Sequence, residues 1–219
     1  MTHTPSSPTP DTRERLLDTA ERLFAARGFA GTSVREITDA AGANLGVVNY
    51  HFRSKENLYA EVFTRRAALL REPVVAAART AMSVARTNPA QAFEALGRAF
   101  LAPHEDRDTT QFLLALFARE AIETCLPPGL FVREFLVPTI DAITSIVRRA
   151  RPDLPEAEAR ASAHAFFAQI MQIVKGAGII ATPVDEQLAH AVRFTVAAVM
   201  HLEAAPPGRS HRQRQHKQS

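Results

Sequence analysis

Residues 33–59 read SVREITDAAGANLGVVNYHFRSKENLY. Ser33 and Glu36 have the spacing of a capping box, in which side chain and backbone satisfy each other's free groups at a helix start. Val34, Ile37, Ala40 and Ala41 follow at helical spacing, and Gly42 stops that helix after about two turns. Asn44 is placed to cap a second short helix from about Leu45 to Phe52, and Ser54 to cap another that opens with Lys55 and Glu56. Two short helices joined by a glycine-containing turn of three or four residues form a helix-turn-helix pattern. On a helical wheel Val48 and Phe52 share one face, with Val34 and Ile37 as partners. Gly46, Tyr50 and Arg53 fall on the opposite face, flanked by Val47 and Asn49. That outer face is too poor in apolar area for a core. Its small and hydrogen-bonding side chains suit a DNA major groove. Three short capped helices of an ordinary bundle would show the same bare pattern.

Upstream, a helix is predicted from Asp11 or Thr12, with Glu14 placed for a capping box around Asp11. Leu16, Leu17, Ala20, Leu23 and Phe24 form its inner face, and Gly28 ends it. Downstream of residue 70, Pro73 either kinks or restarts the chain, and Asn88-Pro89 is a helix start. Further helices are expected over 109–124, 129–150, 156–176 and 186–202, with Pro138 kinking or dividing the 129–150 element. There is no run of alternating β-branched residues and no Asn-Gly hairpin signal. The expected fold is all-α: a small N-terminal three-helix domain carrying the helix-turn-helix, then a larger helical body. The corresponding segments are a flexible Pro-rich arm over 1–10, the reading domain over 11–58, the body over 59–205 and a basic tail over 206–219.

Of the 219 residues, 46% are hydrophobic and 22% charged, the proportions of an ordinary globular protein. No stretch is apolar enough to span a membrane, and the polar N-terminus lacks the apolar core of a signal peptide, so the expected compartment is the cytoplasm. The net charge of +3 comes from 26 basic and 23 acidic residues. Four of the basic residues, Arg209, Arg212, Arg214 and Lys217, lie in the tail; without them 22 basic side chains face 23 acidic ones. Overall charge therefore does not point to nucleic acid. The single cysteine, Cys125, excludes an internal disulfide and a multi-cysteine zinc site. The eight histidines show no metal-ligand spacing, and neither a catalytic triad order nor a phosphate loop is present, so no metal, no cofactor and no catalytic site is expected.

The segment resembles the DNA-binding domain of the TetR/AcrR family of bacterial transcriptional regulators. The resemblance is carried by Thr32-Ser33-Val34, Ala41-Gly42-Ala43, Asn49-Tyr50-His51-Phe52 and Ser54-Lys55-Glu56-Asn57-Leu58. Upstream, Ala20-Glu21-Arg22-Leu23-Phe24 and Gly28-Phe29 also fit, so the likeness spans roughly residues 12–60. Many members have tyrosine where this chain has Asn49, and an asparagine pairs with adenine but supplies no aromatic phosphate contact. The resemblance implies phosphate contacts from Thr32 and Ser33 at a helix N-terminus, from Tyr50 and His51, and from Lys55. It implies base contacts from Asn44, Gly46, Val47 and Asn49, since a recognition helix enters the groove with its N-terminal residues. Gly46 has the further possibility of acting through its missing side chain, and His51 that of packing.

Nine of the thirteen phenylalanines lie beyond residue 72. For Phe93, Phe100, Phe112, Phe117, Phe131 and Phe135 the plain reading is core packing; the family reading is an effector cavity, with Glu120, His104, Gln111 or Arg119 fixing a ligand. The two apolar segments 156–176 and 186–202 are either buried in the subunit or half of a four-helix dimer interface through Phe167, Ile170, Val174, Val192 and Val196. The resemblance favours the dimer. The function implied is a homodimeric, effector-responsive regulator of operator DNA, a repressor released by a small apolar molecule. The alternatives are a helical interaction protein that reads no sequence, and a helical enzyme.

Overall fold

The computed structural model describes residues 10–102, 126–176 and 179–203, and these contain helices and no strand. The expected all-α class is the observed one. Helices α1 (Pro10–Arg27), α2 (Val34–Ala41) and α3 (Leu45–Phe52) build the N-terminal head. The long α4 (Lys55–Ala81) leads into α5 (Pro89–Leu101). After the 103–125 stretch come a π-helical turn (Val132–Leu136) and helices α6 (Val137–Ala150), α7 (Glu156–Gly176) and α8 (Val184–His201). The expected 109–124 helix, Cys125, and the candidate ligand residues His104, Gln111, Phe112, Phe117, Arg119 and Glu120 lie outside the described residues.

The head closes over Leu16, Leu17, Ala20, Phe24, Ile37, Val48, Phe52, Leu58, Val62 and Phe63, all buried. The helical wheel is thus correct for Ile37, Val48 and Phe52, while Val34 is half-buried against them. Helix α4 runs unbroken through Pro73 and through the boundary expected at 58/59. Its ion pairs with α1 continue past that point: Glu61 with Arg13, Arg65 with Glu14 and Asp18, and Arg66 with Glu21. The first turns of α4 therefore belong physically to the head, and the rest packs on α5, the π turn and α6.

In the body, α5 crosses α8 so closely at Gly97 that a Cβ there would come within 2.3 Å of Leu188 Cδ1. Phe93 and Phe166 meet edge to face at 5.0 Å, and Phe100, Phe131, Phe135 and Phe167 form a second ring cluster with centroids 5.6–6.3 Å apart. Phe63 of α4 joins this cluster through Phe131 at 6.1 Å. Such edge-to-face contacts add about 0.5–1.5 kcal/mol per pair to the burial of the rings.

Arg151, just past α6, holds the end of α8. Its guanidinium donates to the carbonyls of Val199, Met200 and Leu202 at 2.8–3.0 Å and forms a two-pronged pair with Asp153. Those carbonyls belong to the last turn of a helix, where no further N–H arrives. The Arg151 charge holds the Asp153 carboxyl below the usual carboxylate range.

The structure corrects the expected dimer residues. Ile170, Val174 and Val192 are buried within the subunit. Phe167 and Val196 are half-buried against the same core, Phe167 on Phe100 and Phe135. Sequence assigned these five to the outer face because α7 and α8 are apolar on more than one side. The side left open instead presents Phe194, 59% exposed, with Ala161, Ala165, Ala197, Ala198 and Met200.

Candidate nucleic-acid interface

Helix α2 begins with the expected capping box. Ser33 Oγ accepts from the Glu36 N–H, and Glu36 Oε2 accepts from both the N–H and the hydroxyl of Ser33. Arg27 adds a bond to Glu36 Oε1 at 2.9 Å. The Ser33 backbone and hydroxyl bonds, then Arg27, hold the Glu36 carboxyl below its ordinary value. Gly42 ends α2 in the left-handed region at φ 61°, where its N–H bonds back to Asp39 and Thr38. The turn so formed delivers the chain to Asn44 with no side chain in the way.

This arrangement corrects two expected phosphate contacts. Thr32 is buried, and its hydroxyl donates inward to the carbonyls of Leu23 and Gly28 at 3.2 and 2.9 Å. It fastens the end of α1 and presents no hydroxyl outward. Ser33 is exposed, but its hydroxyl is committed to the box, and the Glu36 carboxylate already occupies the N-terminus of α2. A second anion there would meet like charge.

The depressed acidity of Glu36 fixes a sign. A carboxyl whose value is lowered by folding stabilises the fold above its unfolded value near 4.3, and that contribution vanishes as pH falls through the folded value. The melting-temperature difference between wild type and Glu36→Gln is therefore expected to be constant from pH 7 to 5 and to close below about pH 4. A difference unchanged at pH 3 would contradict the role given to the box.

Helix α3 is capped by Asn44, whose Oδ1 accepts from the Gly46 N–H at 3.0 Å. The cap commits the amide oxygen of Asn44 and leaves its NH2 outward. Gly46 is exposed, its φ is not positive, and a Cβ built on it would meet nothing nearer than Asn44 Oδ1 at 3.7 Å. Nothing within the described residues requires glycine at 46. Asn49 is exposed, and Val47 is half-buried against the head core. Tyr50 is 72% exposed, with its ring edge-on to His51 at 5.1 Å. His51 is half-buried, and its Nε2 is enclosed without a hydrogen-bond partner among the described residues, so this nitrogen is turned away from any phosphate in this conformation.

Lys55 stands on the first turn of α4, and its Nζ lies 4.1 Å above the Phe29 ring. Phe29 is backed by Tyr59 at 5.2 Å, which in turn packs on Phe24. A cation at a helix N-terminus opposes the helix dipole. The ring holds it there, and the unfavourable charge is relieved when an anion arrives. Arg53 was not among the expected contacts. It is the C-cap of α3 at φ 66°, is exposed, and lines a cleft of about 830 Å3 between α1, α3 and α4. The sequence signal for it was present: Arg53 falls on the outer face of the wheel with Gly46 and Tyr50.

The arrangement presents one exposed edge, Asn49 and Tyr50 with the bare backbone at Gly46, next to a cation held on an aromatic shelf. Among the described residues no group of three or more His, Cys, Asp or Glu side chains is placed to hold a metal ion, and no helix is long and apolar enough to cross a membrane.

Residues 16–62 match the family described as "Bacterial regulatory proteins, tetR family". The chain is 42% identical over 53 residues to the HTH-type transcriptional regulator AcrR of Shigella flexneri, covering 24% of this chain and 25% of that protein. It is 46% identical over 59 residues to the HTH-type transcriptional repressor KstR2 of Mycolicibacterium smegmatis, covering 27% and 28%. The matched stretch thus spans about a quarter of the length of these curated relatives. Beyond it the likeness is one of fold. SmeT, described as the repressor of the Stenotrophomonas maltophilia multidrug efflux pump SmeDEF, superposes with a TM-score of 0.63 at 21% identity, covering 90% of this chain and 98% of that one.

Proposed function

We propose that the chain is a tetR-family transcriptional regulator that binds a palindromic operator as a homodimer and is released from it by a small apolar effector. The observation that carries this reading is the outer face of α3. An exposed Tyr50 and Asn49 flank a glycine for which the fold has no need. An ordinary bundle helix has no reason to keep that combination toward solvent.

In this reading Asn49 and the free NH2 of Asn44 meet base edges, Gly46 lets the backbone approach the groove floor, and Val47 offers a partly covered methyl surface. Tyr50, Lys55 and Arg53 meet phosphates. Phosphate contacts set affinity and its salt dependence, whereas base contacts set preference. Lys55→Ala is therefore expected to weaken binding on every duplex and to lower the slope of log K against log salt by about one. Asn49→Ala is expected to lose roughly 1–3 kcal/mol of discrimination at one base position. Equal salt slopes for wild type and Lys55→Ala, or unchanged base preference in Asn49→Ala, would refute the respective assignment.

The dimer forms in this reading through the open side of α7 and α8. Phe194 borders a groove of about 250 Å3 lined by Ala161, Ala165 and Ala198, a small-residue surface that a second copy's Phe194 fills. The effector enters the body at the ring cluster of Phe100, Phe131 and Phe135, with Phe93 behind it. A molecule that prefers the non-binding arrangement shifts the dimer off DNA by that preference, and operator weakens its binding by the same factor.

A further inference from the structure

Pro138 lies in the first turn of α6. In an uninterrupted α-helix the N–H of residue 138 bonds to the carbonyl of Glu134, and proline has no N–H. The chain passes the break with the π turn Val132–Leu136, where the Val137 N–H reaches back to the Val132 carbonyl. The Glu134 carbonyl receives a donor from another helix: Arg71 of α4 gives it an N–H from Nη1 at 2.7 Å. The same nitrogen lies 3.8 Å from Glu134 Oε2. The Arg71 side chain is 23% exposed, so this charge-assisted bond is largely sheltered from competing water.

Arg71 sits where α4 has left the head. The last pair from α4 to α1 is made by Arg66, and Val74 is already buried in the body. From Arg71 to Lys55 the helix runs roughly 24 Å at about 1.5 Å per residue. A tilt of about 8° pivoting at Arg71 displaces the start of α4 by about 3.4 Å, the length of one base-pair step.

We infer that Arg71 is a positioning residue for DNA binding: its bond to the Glu134 carbonyl fixes the inclination of α4 on the body and thereby the separation of the two reading heads. This rests on the reading of the chain as a dimeric operator-binding protein. Because the acceptor is backbone at a helix break and not a rotatable side chain, the tie holds α4 to the frame of α6.

The test uses the full chain and a duplex selected from a random pool by the wild type, together with versions carrying one base pair more or fewer between the half-sites. Arg71→Met keeps an apolar stem and removes the donors. It is expected to lose at least tenfold of the discrimination between native and altered spacing, with base preference and salt slope unchanged. Arg71→Lys keeps a charged donor and retains most of the discrimination. Pro138→Ala placed on Arg71→Met gives Glu134 a donor within its own helix, so thermal stability recovers while spacing discrimination stays lost. The inference is overturned if Arg71→Met discriminates within twofold of wild type, or if the double variant regains discrimination along with stability, which would make Arg71 a structural donor only. Should the wild type select no two-part site, the operator-binding reading fails and this inference with it; a selected site with spacing indifferent to Arg71 defeats the inference alone.

Discussion

Replacing Gly46 by alanine is expected to raise the melting temperature and to abolish tight operator binding. The two effects have separate causes. In the free protein the new Cβ enters open space, 3.7 Å from its nearest neighbour, and an alanine in a helix is favoured over glycine by about 0.5–1 kcal/mol. On DNA the same methyl stands on the face that Asn49 and Tyr50 share, where the backbone of α3 approaches the base edges. Lifting the helix by the thickness of a methyl stretches every neighbouring hydrogen bond past its useful range. Losing two such contacts at roughly 1–3 kcal/mol each amounts to a hundredfold or more in affinity. Thermal melting and operator titration of the same preparation check this. A variant with normal operator affinity would place the groove elsewhere on the head.

Phe194→Glu carries the second large effect. At 59% exposure the phenylalanine contributes little to the subunit itself, so the variant is expected to fold with near-normal helix content. Across the proposed interface the ring is a central aromatic anchor, and truncating such anchors costs about 2 kcal/mol or more. A glutamate buried in its place adds an unpaired charge. Two carboxylates brought together at a two-fold axis add repulsion as well. The variant is expected to sediment as a monomer at micromolar concentration and to lose the affinity that comes from engaging two half-sites at once. Ile170→Ala serves as the contrast. Ile170 is buried inside the subunit, so this change is expected to lower stability by roughly 2–5 kcal/mol without selectively splitting the dimer. A dimeric Phe194→Glu would remove α7 and α8 from the interface.

Short-range features were the most legible in the sequence. The capping box of Ser33 and Glu36, the Gly42 turn, the Asn44 and Ser54 caps and the Asn88-Pro89 start all appear where the residues place them. Each depends on neighbours within four positions, so the sequence contains both partners side by side. Thr32 shows the limit of that logic. Its position at a helix start suits a phosphate, yet its hydroxyl serves carbonyls four and nine residues back. The sides of α7 and α8 were misread for another reason. Both helices carry alanine, valine and phenylalanine around most of their circumference, and periodicity does not say which apolar side a subunit uses for itself. Arg71 and Arg151 were invisible because their acceptors are main-chain carbonyls 63 and 48–51 residues away. Backbone oxygens carry no residue identity, so no sequence pattern marks them.

The measurement that bears most directly on the central claim is the ratio of dissociation constants for a duplex selected from a random pool and a scrambled duplex of the same length, at one fixed salt concentration. A dimer reading bases through α3 is expected to select a palindrome and to bind it roughly a thousandfold or more tighter than the scrambled duplex, with protected half-sites centred about 34–36 Å apart or a multiple of that. A ratio near one, with no palindrome recovered from the pool, would contradict the account.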